Sequence, residues 1–90
     1  MLLKRTKQFE KDFKKIKFSD IQFQKFINYI SILLNRGTLP SVANDHCLKG
    51  EWANFREFHI GGDLIVIYLK KENEVILTRI GTHSQLFKKF

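Results

Sequence analysis

The chain has few of the residues that place special demands on a fold. It holds one cysteine, one proline, one methionine and one tryptophan in 90 residues. A single thiol, Cys47, cannot close an internal disulfide. A disulfide-stapled extracellular scaffold is therefore excluded, and a reducing cytoplasm is the expected compartment. With five glycines and that lone proline there is no low-complexity tract and no linker. Long apolar runs are missing too. The longest, Leu64-Ile65-Val66-Ile67-Tyr68-Leu69, has six residues, whereas a membrane-spanning helix needs about 20. Met1-Leu2-Leu3-Lys4-Arg5 lacks an apolar h-region, so neither a signal peptide nor a membrane association is expected. Acidic residues are scarce: nine Asp+Glu face sixteen Lys+Arg, a formal net charge of +7. A field of that sign favours a polyanion, whether nucleic acid, anionic membrane or acidic protein.

What the chain does have is core material. It is 43% hydrophobic and 13% aromatic, with nine Phe and two Tyr, which argues for a packed core and against disorder. Residues 1–90 are expected to form a single α+β domain. Residues 2–6 suit an edge strand. From Lys7 to Lys17, Phe9, Phe13 and Ile16 fall at i, i+4 and i+7, the stripe of an amphipathic helix. Ser19, with Gln22 three residues on, reads as a capping box for a second helix. Phe23, Phe26, Ile27, Ile30, Leu33 and Leu34 should supply its buried side, and Arg36-Gly37 its end, with Gly37 in the left-handed conformation. Two such helices joined by a short link predict an antiparallel helical hairpin.

Past Gly37-Thr38-Leu39-Pro40 the period changes. Trp52 to Ile60, Leu64 to Leu69 and Val75 to Ile80 read as strands separated by Gly61-Gly62-Asp63 and Lys71-Glu72-Asn73. The unbroken apolar run of the middle strand predicts cover on both faces. The helices should lie on one face, which leaves the other for function.

All three histidines, His46, His59 and His83, fall in the second half, each near the end of an element. Asp63 follows His59 closely, and Arg79 precedes His83. If they meet on a cationic face, they form the inventory that RNA scission needs. A base removes the ribose 2′-OH proton, an acid protonates the leaving 5′-oxygen, and cations stabilise the phosphorane. An imidazole titrates near neutral pH and suits both transfers, and no metal is required when the 2′-OH is the nucleophile. Blander roles exist for each residue. Asp63 suits a turn, Arg79 could pair with Glu57 or Glu74, Trp52 could pack, Phe87 and Phe90 could close the core, and the lysine-rich helix could simply be solvated. Cys47 carries no mark of a nucleophile. A His₃ or His₂Asp metal site can be drawn from His46, His59, His83 and Asp63, but no short ligand spacing supports it, so neither metal nor cofactor is expected.

Four segments in order carry a resemblance. They are Asp45-His46-Cys47-Leu48-Lys49-Gly50-Glu51-Trp52, Phe55-Arg56-Glu57-Phe58-His59, Asp63-Leu64-Ile65-Val66-Ile67-Tyr68, and Arg79-Ile80-Gly81-Thr82-His83-Ser84-Gln85-Leu86-Phe87. Together they resemble the motifs of the YafQ-type toxins of the RelE/ParE toxin–antitoxin superfamily. The resemblance implies a RelE-like fold, an N-terminal helical hairpin packed on a curved antiparallel β-sheet. It implies a ribosome-dependent mRNA endonuclease (mRNA interferase) that cuts A-site codons, and a cognate acidic antitoxin of the DinJ/RelB kind. The family's functional positions carry over to His46, His59, Asp63, Arg79, His83 and Phe87. Lys49, Trp52 and Glu57 are further RNA-contact candidates, and Lys88 and Lys89 would add phosphate contacts. Two departures stand out: Cys47 and Gly62 occupy positions where many relatives have Pro. The paired glycines should loosen the turn carrying Asp63. Two other readings share much of this pattern: a ParE-like gyrase poison without nuclease activity, and a non-catalytic basic RNA-binding module.

Overall fold

Thr6 and Ser19 start the two N-terminal helices. The Thr6 hydroxyl accepts the Phe9 N–H at 3.0 Å and opens α1 (Lys7–Lys15). The expected capping box is present at α2 (Asp20–Leu34): the Gln22 N–H donates to Ser19 Oγ at 3.1 Å and the Ser19 N–H to Gln22 Oε1 at 3.0 Å. The computed structural model describes residues 1–87. Lys88, Lys89 and Phe90, with the roles expected of them, lie outside the described residues.

Two details of α2 differ from expectation. Arg36, with φ 61°, takes the left-handed position in place of Gly37. The Gly37 N–H then reaches Ile32 O at 2.9 Å and the Arg36 N–H reaches Leu33 O at 3.0 Å, a Schellman ending. Gly37 is needed for space, because a Cβ there would lie 2.9 Å from Ile32 Cγ2. The buried face is also rotated. Phe26, Tyr29, Ile30 and Leu33 are buried, whereas Phe23 and Ile27 are 49% and 52% exposed. Tyr29 faces the sheet edge-on to Phe58, with ring centroids 5.8 Å apart, and draws the stripe away from Phe23. Rings link the helices: Phe26 lies 5.7 Å from Phe13 and 5.4 Å from Phe18.

Five strands form one sheet in the order β1-β5-β4-β3-β2: β1 (Leu2–Arg5), β2 (His46–Cys47), β3 (Arg56–Gly61), β4 (Leu64–Lys70) and β5 (Glu74–Thr82). The meander β3-β4-β5 is antiparallel as expected, but β1 runs parallel to β5, so the sheet is mixed. Two helices and the strands β2 to β4 lie between the two members of this parallel pair in the chain. The first meander strand is shorter than predicted, because Gly50–Trp52 form a 3₁₀ turn. The two-residue β2 was not foreseen. It pairs His46 with Glu57 and Cys47 with Arg56.

Both faces of β4 are covered. On the helix side Val66 and Tyr68 join Phe58, Ile60, Val75, Leu77 and Ile80 beneath α1 and α2. On the other side Ile65 and Ile67 pack with Leu86, Leu48, Trp52, Phe55 and Phe87. This smaller core is closed by α3 (His83–Leu86), a short helix with its own capping box between Thr82 and Gln85. No helix among the described residues is long and apolar enough to cross a membrane.

Candidate active site

Strand register places the chemistry on the face away from α1 and α2. His46, Glu57, Ile67 and Arg79 face one another in a row across β2, β3, β4 and β5. The next row on that face is His59, Ile65 and Gly81. Gly81 lets α3 fold back tightly, since a Cβ there would meet Gln85 Oε1 at 2.9 Å and Leu86 Cδ2 at 3.1 Å. The fold-back brings His83, the first residue of α3, over the rows.

The three histidines converge on one atom. Glu57 Oε2 lies 3.1 Å from His59 Nε2, 3.1 Å from His83 Nε2 and 3.5 Å from His46 Nε2. The rings of His46 and His59 are 6.4 Å apart and those of His59 and His83 5.5 Å. Glu57 is 2% exposed, and among the described residues its buried Oε1 has no hydrogen-bond partner. A carboxylate oxygen only accepts, so His59 and His83 each donate Nε2–H to it, which leaves Nδ1 as the basic nitrogen in the neutral ring. His46 is held from the other side, with Nδ1 2.6 Å from the Asn44 carbonyl. That carbonyl also only accepts, so His46 donates its Nδ1–H to it. The His46 and His83 side chains are 44% and 50% exposed and form the rim, with His59 deeper at 27%.

A second polar network fixes β2 against the sheet. Asp45 Oδ1 accepts the Tyr68 hydroxyl at 2.7 Å and Arg56 Nε at 3.2 Å, and Arg56 Nη1 lies 2.9 Å from Cys47 Sγ. Burial, with the Asp45 carboxylate beside it, pushes the Tyr68 hydroxyl well above the ordinary phenol range. The strand that delivers His46 is therefore pinned on both sides of that residue.

The other expected residues sort unevenly. Asp63 is exposed in the β3–β4 turn, and among the described residues it makes no hydrogen bond to the histidines. Glu57 is the carboxylate at the centre instead. The β4–β5 ladder ends at the Leu64–Thr82 pair, and His83 turns away from it into α3. Glu57 was expected to touch RNA; its carboxylate is buried and engaged by imidazoles. Arg79 pairs with Asp12, at 2.7 Å from Nε, and with neither Glu57 nor Glu74. Phe87 stacks on His83 at 5.7 Å and meets Trp52 edge-on at 5.8 Å. Trp52 also packs on Phe55, at 5.2 Å, and Lys49 is exposed at the start of the 3₁₀ turn. Sequence reasoning missed the central place of Glu57. The available signal was its i, i+2 spacing from His59, which puts both on one face of a strand.

Glu57, His59 and His83 also offer three ligand atoms within 4.8 Å of one another. This donor set suits a transition ion such as Zn²⁺. An ion held through the Nε2 atoms would need lone pairs on nitrogens that here donate Nε2–H to Glu57. In that binding mode the proton-sharing and metal-holding states compete for the same atoms.

Residues 1–88 match the family described as bacterial toxin of type II toxin–antitoxin system, YafQ. An mRNA interferase toxin YafQ from Escherichia coli is 33% identical over 81 residues, covering 89% of this chain and 88% of that one. A match to a YafQ relative from Haemophilus influenzae is 45% identical and spans 68% of this chain and just under two thirds, 64%, of that relative. In the solved DinJ–YafQ complex of E. coli, the matching chain has a TM-score of 0.81 at 32% identity, over 94% of this chain and 96% of that one. With the family matched almost end to end and a relative one-third identical along most of its length, this chain belongs to the YafQ family of bacterial type II toxins.

Proposed function

We propose that this chain is an mRNA interferase, an endoribonuclease that inhibits translation by cutting codons in the ribosomal A site through acid–base chemistry. The observation that carries this reading is the gathering of His46, His59 and His83 around one buried oxygen of Glu57. Two E. coli relatives bear the name mRNA interferase toxin YafQ, which supports it. A formal charge of +7 suits an RNA substrate.

In this mechanism a base takes the 2′-OH proton and the 2′-oxygen attacks phosphorus. The P–O5′ bond breaks as an acid delivers a proton to O5′, leaving a 2′,3′-cyclic phosphate and a 5′-hydroxyl. His83, on the rim and oriented by Glu57, is the principal proton-transfer group. Glu57 fixes the tautomers of His59 and His83, as a buried carboxylate does in other imidazole-based sites. His46 and His59 hold phosphate or share the proton transfers. Asp63, exposed in the turn before β4, is a base or an orienting group once RNA is bound. Arg79 stabilises charge on the phosphorane. Phe87 stacks on a base, a contact worth roughly 1–3 kcal/mol; Lys49 and Trp52 contribute at the margin. The 2′-OH supplies the nucleophile, so the route requires no metal.

Residues 1–90 act as one toxin domain in the cytoplasm. The partner is an acidic antitoxin, by analogy with the DinJ–YafQ complex; a segment that folds on binding would be drawn to the basic surface. Primer extension on a translated message after induction tests the reading. The parent should produce in-frame cuts, and His83→Gln at equal abundance should produce none. Undiminished cutting and growth arrest by that variant would remove His83 from the mechanism.

A further inference from the structure

The rows of site residues lie on the sheet, yet α1 reaches them through one side chain. Asp12, near the C-terminal end of α1, accepts Arg79 Nε at 2.7 Å and Nη2 at 3.2 Å. The same carboxylate accepts the Ile80 N–H at 3.2 Å and Gln8 Nε2 at 3.0 Å. The last β1–β5 pair is Arg5 with Leu77, so β1 does not shield the edge of β5 beyond it. Asp12 takes the Ile80 donor at that edge and grips the neighbouring guanidinium at once. Burial alone would raise the Asp12 carboxyl, but the bonds from Arg79, Gln8 and Ile80 outweigh it and hold it below the usual carboxylate value.

This grip matters for where Arg79 can point. Arg79 shares a row with Glu57 and His46, with Ile67 between. Glu57 therefore sits two strands away, roughly 10 Å at ordinary strand spacing. A free arginine of that length would be drawn onto the Glu57 carboxylate and would compete with the histidines for it. The other acidic residue of α1, Glu10, is taken up by Arg5 at 2.8 Å. Asp12 is thus the anion that holds Arg79 at the β5 end of the row. Two of the five guanidinium N–H donors go to Asp12, which leaves the others for a phosphate.

We infer that Asp12 is a positioning residue for RNA cleavage, locking the Arg79 guanidinium beside the scissile phosphate and away from Glu57. The inference rests on the reading of Arg79 as the phosphorane-stabilising cation. Single-turnover cleavage of message on programmed ribosomes tests it, with Asp12→Asn, Arg79→Ala and the double variant. Asparagine keeps the volume and an acceptor for the Ile80 N–H but loses the charge. Asp12→Asn should slow cleavage at saturating toxin by about 10–100-fold, the cost of a small misplacement of a reacting group. The half-saturating toxin concentration should be unchanged, and the double variant should be no slower than Arg79→Ala alone. A cleavage rate for Asp12→Asn within about threefold of the parent, or effects that multiply in the double variant, would overturn the inference. If Arg79→Ala cleaves at the parental rate, the role of Arg79 fails first and the inference fails with it. A variant-free measurement guards against misfolding. The Arg79 Nε–H signal of the parent should exchange slowly with solvent, and exchange as fast as in a free arginine also defeats the proposal.

Discussion

Replacing Glu57 by glutamine should separate activity from stability. The substitution keeps the shape and removes the charge. Two imidazole contacts to Oε2, at 3.1 Å each, are the ones at stake, with His46 further off at 3.5 Å. A hydrogen bond to a charged group contributes about 1.5–3 kcal/mol and a neutral one about 1 kcal/mol. Losing that difference at two contacts removes roughly 1–4 kcal/mol of orientation from His59 and His83. At 1.36 kcal/mol per tenfold, this predicts a fall in single-turnover cleavage of roughly 5- to 1,000-fold. Stability responds the other way. Glu57 is 2% exposed with Oε1 unpartnered, and a buried carboxylate in that state is costly. An uncharged amide relieves the cost, so the melting temperature should hold or rise while cleavage falls. A Glu57→Gln protein that cleaves within threefold of the parent, or whose loss of activity is matched by a comparable loss of stability, would refute the reasoning.

Three more outcomes follow from the geometry. Tyr68→Phe removes the 2.7 Å bond to Asp45 and should lower the unfolding free energy in urea by about 1–2 kcal/mol. Because the folded Tyr68 hydroxyl titrates above the ordinary 10.0, its contribution is fully present below about pH 10 and is lost as pH rises towards the folded value. The parent should therefore lose more stability between pH 8 and pH 11 than Tyr68→Phe does; equal losses would show that the phenol is not the cause. Gly37→Ala places a Cβ 2.9 Å from Ile32 Cγ2 and 3.2 Å from Ile32 O and should cost roughly 1–3 kcal/mol; an unchanged melting temperature would show that the turn yields freely. Added Zn²⁺ should bind the parent, slow cleavage, and be reversed by a chelator, because it takes the nitrogens of His59 and His83 that Glu57 orients. Binding without any effect on cleavage would show that the two states do not share those atoms.

The parts of this fold legible in the sequence were those carried by local pattern. The Ser19–Gln22 capping box and the unbroken run of β4 each follow from a few neighbouring residues, and both are present as expected. Elements set by distant partners were not legible. A two-residue strand such as β2 has no period to detect. Trp52 and Phe55 are large apolar residues of the kind strands favour, yet they sit in and beside a 3₁₀ turn and pack on each other over the second core. The parallel placement of β1 depends on the helices that separate it from β5. The same division runs through the site. Motif position alone picked out the three histidines, but their common partner did not emerge, because an acid in a strand usually faces water. Asp12 was invisible as a partner of Arg79 for a simpler reason: 67 residues separate them.

The turn before β4 shows a local rule meeting a constraint from elsewhere in the fold. Gly61 and Gly62 have φ of 120° and 59°, values closed to proline, whose ring holds φ near −65°. The glycines are therefore required by this turn, and a proline at either place would need a different one. They were expected to leave Asp63 loosely held. However, Gln22 Nε2 donates to Gly61 O at 3.0 Å while Gln22 Oε1 closes the capping box of α2. One side chain thus ties the start of a helix to the hairpin that carries Asp63, replacing the stiffness that proline supplies elsewhere. The order of a turn is decided by what its backbone groups bond to as well as by the freedom of its residues. Here that bond comes from a helix 39 residues away in the chain, and it crosses from the helix side of the sheet to the end of the strand that bears His59.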